Sequence, residues 1–205
     1  MTLRRLVLWR HGETDYNAGR RMQGQLDSVL TPVGVEQASR SAPVVAAFEP
    51  QLLLSSDLRR ATDTAAALAA GTGLVPGTDK RLRETHLGEW QGLTHDEVDG
   101  TWPGARVAWR RDPQWAPPGG ESRVEVAARA CAVVAELDAG TVERAVLCSH
   151  GGLIASLVAS LLRLPLANWP AFAGIGNCCW TVLERPPSMF EGHWRLMAYN
   201  AGMPG

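Results

Sequence analysis

The segment "LVLWRHGETDYN", residues 6–17, decides how the rest of the chain is interpreted. Its first four residues are apolar, which is typical of a short strand buried on both faces. Arg10 and His11 follow directly, and Gly12 comes next. A buried strand gains no stability from ending in a cation and an imidazole. This ending therefore indicates a chemical site at the rim of a sheet.

The composition is that of an ordinary globular chain. Of the 205 residues, 45% are hydrophobic and 20% are charged, and the formal net charge is -1. This fits one domain, predicted to span residues 1–205, with no charge excess for nucleic acid or an anionic membrane. No stretch reaches the length of a membrane span, and residues 1–12 lack the pattern of a signal peptide. We expect reduced thiols in a cytoplasmic protein, because zinc-like spacing is absent from the four cysteines, Cys131, Cys148, Cys178 and Cys179.

Apolar runs and helix signals alternate along the chain. Strands are predicted at residues 3–9, 52–54, 74–75, 145–148, 177–183 and 194–198, and helices at 32–48, 58–70, from 121, and 151–162. Thr31 is expected to cap the first helix and Asp57 the second, and Pro43 predicts a kink or an early end. The alternation predicts an α/β fold, a three-layer α/β/α sandwich with a mostly parallel central sheet and helices on both faces.

Residues 84–120 depart from this alternation. They have little periodicity, many prolines and glycines, and four tryptophans, Trp90, Trp102, Trp109 and Trp115. We interpret this segment as an insertion with short helices that lies over the active site as a lid.

Polar residues follow three of the predicted strands. Arg10 and His11 end the first, "SSDLRRAT" with Arg59 and Arg60 follows the second, and "SHGG" with His150 follows the strand at 145–148. Each residue alone is more often a surface or core side chain. Because the carboxyl ends of parallel strands meet at one edge, we expect two histidines and at least two arginines to converge there.

Four segments carry a resemblance to a known family. "RHGETDYN", "SSDLRRATDTA", "LRETHLGEWQGLT" and "VLCSHGGLI" resemble, in order, the motifs of the histidine phosphatase superfamily, also called the phosphoglycerate mutase-like family. They span residues 6–154. The resemblance implies a phosphoglycerate mutase-like fold and an enzyme that hydrolyses small phosphomonoesters through a phosphohistidine. No cofactor is implied, and the carboxylates show no metal-ligand cluster, so no metal is expected.

The resemblance also implies how the residues act. His11 is the expected nucleophile, and Arg10, Arg60 and a cationic His150 hold the phosphoryl oxygens, while Arg59 points outward. Glu84 is the expected general acid, with its proton affinity raised by burial near Trp90. The expected substrate-binding residues are Arg10, Asn17, Gln23, Gly24, Arg60, His150 and Gly151, with His86 a weaker candidate.

Other segments narrow the resemblance within the family. "MQGQLDS", "WAPPGGESR" and "LPLANWPAFAGIGNCCWT" are similar to actinobacterial phosphatases of glucosyl-3-phosphoglycerate, which implies that substrate. Three alternatives stay open: a broad-specificity phosphatase of the family, a cofactor-dependent phosphoglycerate mutase, which "WRRDP" at residues 109–113 faintly resembles, and an inactive module that binds phospho-ligands. The sequence also leaves open whether two chains form a homodimer.

Overall fold

The computed structural model of the protein describes residues 2–185 and 192–203, so both ends of the predicted domain and residues 186–191 lie outside the described residues. Six strands form one sheet: β1 (Arg5–Arg10), β2 (Leu52–Ser55), β3 (Gly77–Thr78), β4 (Arg144–Ser149), β5 (Trp180–Glu184) and β6 (Arg195–Ala201). The helices are α1 (Asp15–Ala18), α2 (Pro32–Ala46), α3 (Arg59–Thr72), α4 (His95–Thr101), α5 (Ala105–Arg111), α6 (Arg123–Ala139) and α7 (Gly151–Leu161). Shorter 3-10 helices cover Lys80–Leu82, Gly88–Trp90 and Leu166–Ala171.

The strand order in the sheet is β3-β2-β4-β1-β5-β6. The pairs β3/β2, β2/β4 and β4/β1 are parallel, whereas β5 is antiparallel to both β1 and β6. Arg10 at the end of β1 lies opposite Ser149 at the end of β4. The residues just beyond these two strands, His11 and His150, are therefore brought side by side.

The side chains of β1 alternate between the two faces of the sheet. Leu6 and Leu8 pack into a core that contains buried residues of α6 and α7. Val7 and Trp9 point to the other face and pack against buried residues of α2 and α3. A strand covered on both faces has to be apolar at every position, which explains the unbroken run at the start of the chain. The predicted three-layer sandwich with a mostly parallel sheet is confirmed.

The predicted position of the third strand is wrong. It was expected at residues 74–75, but the strand is Gly77–Thr78, and Val75 is 88% exposed. Pro76 lies between the two positions and has no N–H to donate to a neighbouring strand. Pairing with β2 therefore starts only after the proline, where Gly77 lies opposite Leu54.

The predicted cap of α3 is also wrong. Leu58 occupies the N-cap position and makes no side-chain cap hydrogen bond, while the Asp57 carboxylate lies 2.6 Å from the guanidinium of Arg83. The N–H of Arg59 donates instead to the carboxylate of Asp27, at 2.8 Å. A long-range contact has replaced the local cap, which a pattern of neighbouring residues does not reveal.

The first long helix follows its sequence signals. Thr31 caps α2 by accepting the N–H of Gly34 at 3.0 Å, and Pro32 is the first helical residue. The helix ends at Ala46, with Pro43 in its last turn. The early end that the proline predicted is thus confirmed.

Residues 84–120 contain α4, α5 and the 3-10 helix Gly88–Trp90, which confirms the expected short helices. Trp90 is completely buried, and its ring centroid lies 5.5 to 6.4 Å from the ring centroids of three other tryptophans. We call these four residues the tryptophan cluster: Trp90, Trp102, Trp109 and Trp115. The segment therefore has an apolar core of its own beside the edge of the sheet where β1 and β4 end.

Candidate active site

His11 follows β1 directly and is 3% exposed. Its Nδ1 lies 2.7 Å from the carbonyl oxygen of Gly12, so this nitrogen carries the proton and donates it. Burial lowers the pKa of His11 well below its usual value, and the cations Arg10 and Arg60 lower it further. The ring is therefore neutral, with its lone pair on Nε2, which is the form needed for attack on phosphorus.

The backbone at His11 is held by segments distant in sequence. The His11 N–H donates to the Ser149 carbonyl at 3.0 Å, and the Gly12 N–H donates to Oγ1 of Thr64 at 3.0 Å. A Cβ at position 12 would clash with the carbonyl of Gly34 in α2. Glycine is therefore required here because a helix passes so close to the chain.

Arg10 is the last residue of β1. Its Nη1 donates to the carbonyl of Ile175, while its Nε is buried and has no partner in the part of the chain that the structure describes. Burial lowers the pKa of Arg10, and the Glu84 carboxylate opposes this shift. A buried donor without a partner is costly in free energy, and an oxygen of a bound phosphoryl group would satisfy it.

Arg60 is completely buried near the start of α3. Its Nη1 and Nη2 donate to the carbonyls of Leu26 and Gly24, both at 2.8 Å, and its Nε donates to Nδ1 of His150 at 3.2 Å. Burial lowers the pKa of Arg60 to about 10, with the Glu84 carboxylate opposing, so the guanidinium is cationic at neutral pH. Gly24 has a φ of 54°, a backbone conformation that glycine adopts without strain.

Arg59, the neighbour of Arg60, has a different environment. Its side chain is 63% exposed, and its Nε lies 3.5 Å from the carboxylate of Asp63 one turn further along α3. The predicted outward orientation of Arg59 is confirmed.

His150 occupies the N-cap of α7 and is completely buried. Its Nδ1 accepts from Arg60, so Nε2 carries the proton, and this atom has no partner within the described residues. Burial lowers the pKa of His150 well below its usual value, and Arg60 and His11 lower it further. The ring was predicted to be cationic with phosphate bound. In the ligand-free protein it is neutral, and its Nε2–H is already a donor for an anion.

The carboxylate of Glu84 lies at the N-terminus of α7. It accepts the N–H groups of Gly152 and Leu153, both at 3.0 Å, and that of Thr85 at 2.8 Å. A Cβ at position 152 would lie 2.6 Å from Oε1 of Glu84, so the glycine makes room for this contact. These three backbone donors fix the position of the carboxylate. Trp90, which was expected beside Glu84, packs instead in the tryptophan cluster.

Asn17 and Gln23 are engaged in different ways. Oδ1 of Asn17 accepts from the Thr14 N–H at 3.2 Å and from Nδ2 of Asn177 at 3.1 Å, so its amide hydrogens are available to a ligand. Gln23 donates to Oγ1 of Thr14 at 2.7 Å and accepts from Oγ of Ser28 at 2.8 Å. To contact a substrate, Gln23 would have to exchange one of these partners.

Two cavities share a wall at this edge of the sheet. The inner pocket, about 150 Å³, is lined by Arg10, His11, Asn17, Arg21, Gln23, Gly24, Arg60, Glu84, Thr85, Leu87, Trp109 and Gly152. The outer pocket, about 690 Å³, shares Arg10, Glu84, Thr85, Trp109 and Gly152 and adds His95, Arg110, Arg123, Gly151, Ala155, Pro170, Phe172, Ala173, Gly174 and Ile175.

Most residues predicted from the sequence lie at these pockets. Gly151 lines only the outer one. His150 is not among the lining residues of either pocket, but it accepts a hydrogen bond from Arg60, and its ring centroid lies 5.1 Å from that of His11. His86 lines neither pocket, and its Nδ1 lies 3.1 Å from the carbonyl of Gly119.

Five residues that line the inner pocket were not among the predicted site residues: Arg21, Thr85, Leu87, Trp109 and Gly152. Oγ1 of Thr85 and Nε1 of Trp109 are buried, without a partner in the described part of the chain. Both had an available signal, since Thr85 adjoins Glu84 in its motif and Trp109 opens "WRRDP". Arg21 had none, because it reaches the pocket only through the path of its loop.

We find no group of three or more His, Cys, Asp or Glu side chains that could hold a metal ion among residues 2–185 and 192–203. No helix in the described ranges is long and apolar enough to span a bilayer. All four cysteines are free thiols.

The α/β sandwich and this site define an enzyme that acts on a phosphoryl group, because a neutral imidazole faces two fixed cations and a second imidazole donor. Residues 6–201 match the family model of the histidine phosphatase superfamily (branch 1). The chain belongs to this superfamily and is a phosphatase.

Individual relatives agree with this assignment. The chain is 56% identical to a glucosyl-3-phosphoglycerate phosphatase of Mycobacterium tuberculosis, over 98% of this chain and 96% of the relative. A mycobacterial glucosyl-3-phosphoglycerate phosphatase solved in complex with VO3 has a TM-score of 0.91 and 57% identity, covering 97% of this chain and 100% of that one. A complex with inorganic phosphate has a TM-score of 0.89 and 54% identity, covering 97% and 98%.

Proposed function

We propose that this protein hydrolyses glucosyl-3-phosphoglycerate to glucosylglycerate and phosphate through a phosphohistidine on His11, without a metal ion. The observation that carries the proposal is the 2.7 Å contact between Nδ1 of His11 and the Gly12 carbonyl. It leaves Nε2 as the nucleophile and fixes the ring plane. Attack by a neutral imidazole divides the hydrolysis into two easier displacements.

In this proposal four side chains bind the phosphoryl oxygens. Arg10 and His150 each offer a buried donor that no described residue accepts, Nε and Nε2 respectively. Arg60, which also lines the inner pocket, adds a positive charge, and Asn17 offers its amide hydrogens. These donors are held in place before the substrate arrives, so they stabilise the charge of the transition state without reorganising.

Glu84 serves as general acid and then as general base. Its carboxylate contacts the shared wall of both pockets, where the leaving oxygen would depart. As general acid Glu84 gives a proton to the leaving alkoxide, and as general base it then takes one from the attacking water.

The names of the relatives and the size of the outer pocket support glucosyl-3-phosphoglycerate as the substrate. The inner pocket matches a phosphoryl group in size, and the outer pocket is large enough for a sugar-bearing leaving group. We propose further that residues 1–205 form a single domain in which residues 84–120 are a lid, with Trp109 part of the wall.

The proposal extends to where the enzyme works and what it binds. The four free thiols support a cytoplasmic location for the protein, because cysteines stay reduced in the cytoplasm. A formal net charge of -1 supports a small-molecule substrate over nucleic acid or an anionic membrane surface.

The test is trapping of the phosphoenzyme. Single-turnover mixing with radiolabelled glucosyl-3-phosphoglycerate should label the protein, and the label should be lost in acid, as expected for phosphohistidine. His11→Gln should lose the label, and its turnover should fall at least about a thousandfold. The control is His193→Gln, which changes an exposed histidine and should behave like the wild type.

Three results would contradict the proposal. Labelling of His11→Gln at the wild-type level would assign the nucleophile elsewhere. Interconversion of 2- and 3-phosphoglycerate at the rate of phosphate release would favour a mutase. Equal kcat/KM values for glucosyl-3-phosphoglycerate and p-nitrophenyl phosphate would favour a broad-specificity phosphatase.

A further inference from the structure

The outer pocket has an excess of positive charge beyond the residues that surround the phosphoryl group. Arg110 and Arg123 line the outer pocket but are not among the lining residues of the inner one, and Arg10 lines both. Of its lining residues in the described part of the chain, Glu84 alone is acidic, and Glu84 faces three backbone donors. A ligand that fills this pocket therefore meets cations that lack an acidic neighbour in the lining.

Arg123, the first residue of α6, is the most constrained of these cations. Its Nη2 donates to the carbonyls of Trp109 at 3.1 Å and Arg110 at 2.9 Å, near the end of α5. These bonds fix the guanidinium plane. Nε of Arg123 is buried and has no partner in the described ranges. Burial lowers the pKa of Arg123, and Asp112 only partly opposes the shift.

Trp109 adds a second donor at the same place. Its indole Nε1 is buried, again without a partner among the described residues, and its side chain lines both pockets. Buried donors are almost always paired in native proteins, so an unpaired donor on each of two residues that line this cavity indicates a ligand with acceptor oxygens. A sugar hydroxyl would satisfy the hydrogen bonds but not the charge, whereas a carboxylate satisfies both.

We propose that Arg123 binds the carboxylate of the leaving group in the outer pocket, with Nε1 of Trp109 donating a second hydrogen bond to it. This inference rests on the proposed function, since a 3-phosphoglycerate ester carries a carboxylate two carbons from the carbon that bears the phosphate. The inner pocket then recognises the phosphoryl group, and Arg123 distinguishes acidic from neutral leaving groups.

The experiment compares two substrates that differ only at this group, 3-phosphoglycerate and glycerol 3-phosphate. The measured quantity is the ratio of their kcat/KM values. The wild type should prefer 3-phosphoglycerate, and Arg123→Met should lower the ratio by about 10- to 100-fold, the size expected for loss of a charge-assisted hydrogen bond. Arg123→Lys keeps the charge and should restore part of the preference. Arg111→Met, which changes an exposed arginine outside both pockets, should leave the ratio unchanged.

Several outcomes would overturn the inference. One is a wild type that treats the two substrates alike. Another is an equal loss of activity on both in Arg123→Met, which would indicate that the residue only joins α5 to α6. A third is an Arg123→Lys variant with no more preference than Arg123→Met. The proposed function fails separately, if the wild type does not hydrolyse glucosyl-3-phosphoglycerate, because the two test substrates lack the sugar.

Discussion

At the scale of single residues, Arg59 and Arg60 form a natural matched pair. They are adjacent in sequence, but one is 63% exposed beside Asp63 and the other is completely buried against Gly24 and Leu26. The same substitution at the two positions separates a contribution to the site from a general loss of positive charge.

We predict that Arg60→Ala lowers kcat/KM about a hundredfold, which corresponds to roughly 3 kcal/mol of transition-state stabilisation for one preorganised donor. Arg59→Ala should change kcat/KM less than about twofold, because an exposed ion pair contributes little. Steady-state kinetics with one substrate check both values. Comparable losses in the two variants would contradict the assignment of Arg60 to the phosphoryl group.

The second prediction at this scale concerns Glu84. Glu84→Gln keeps the shape of the side chain but cannot donate the proton, so phosphorylation by glucosyl-3-phosphoglycerate should slow sharply, by roughly a hundredfold or more. With p-nitrophenyl phosphate the slowing should be much smaller, because a nitrophenolate leaves without being protonated. Single-turnover phosphorylation rates for both substrates are the measurement. Equal slowing would mean that another group protonates the leaving oxygen.

Sequence reasoning was most successful for residues that a strand delivers to its own carboxyl end. Arg10, His11 and His150 lie next to buried strands, so a parallel sheet brings them together without any knowledge of side-chain packing. It was least successful for residues whose environment depends on chain crossings. Nothing local to Arg123 indicates that α5 and α6 meet at the outer pocket.

At the scale of elements, α6 supports the segment that presents Glu84. The guanidinium of Arg129 in this helix donates to the carbonyls of Arg81, Arg83 and Glu84 at 2.6 to 2.9 Å. It also lies 2.9 Å from the carboxylate of Glu121. One side chain thus fixes the backbone that leads into Glu84, the proposed general acid, and we consider Arg129 a positioning residue.

We predict that Arg129→Met lowers kcat about tenfold for substrates with alkoxide leaving groups, because a displaced Glu84 transfers its proton poorly. KM should change little, because Arg129 is not among the lining residues of either pocket. The kcat for p-nitrophenyl phosphate should fall less than the kcat for these substrates. Arg106→Met, which removes an arginine paired with Asp99 elsewhere, is the control. An effect on KM alone would contradict a positioning function.

Element boundaries show where local patterns stop being informative. Thr31 and Pro32 predict the start of α2 because cap and first turn are neighbours in sequence. The start of α3 depends on Asp27, a residue of another loop, and the third strand begins only after Pro76. Long-range contacts therefore decide the details that propensity alone assigned incorrectly.

At the scale of the whole molecule, the two buried histidines make stability depend on pH. Burial keeps the pKa values of His11 and His150 well below 6.5 in the folded protein. In the unfolded chain they titrate near their ordinary value of about 6.5. As the pH falls through that value, the unfolded chain takes up protons that the folded protein does not, so the folded state loses stability.

We predict that the free energy of unfolding falls below about pH 6.5, with a contribution from these two groups of up to roughly 2.7 kcal/mol per pH unit. Urea unfolding at pH 7.5, 6.5 and 5.5 measures the slope. His11→Gln should remove about half of this contribution, whereas His193→Gln, at an exposed position, should leave the slope unchanged. An unaltered slope in His11→Gln would show that this imidazole is not held neutral.

The strand order has a consequence for how the protein is made. Of the six strands, β1, which leads into His11, is synthesised before the others, but its two neighbours in the sheet, β4 and β5, begin at Arg144 and Trp180. Throughout most of translation the His11 imidazole therefore has no sheet around it. The carbonyl that accepts a hydrogen bond from Arg10 is also synthesised late, because it belongs to Ile175. The surroundings of His11 can therefore be complete only after β4 and β5 have been synthesised and have paired with β1.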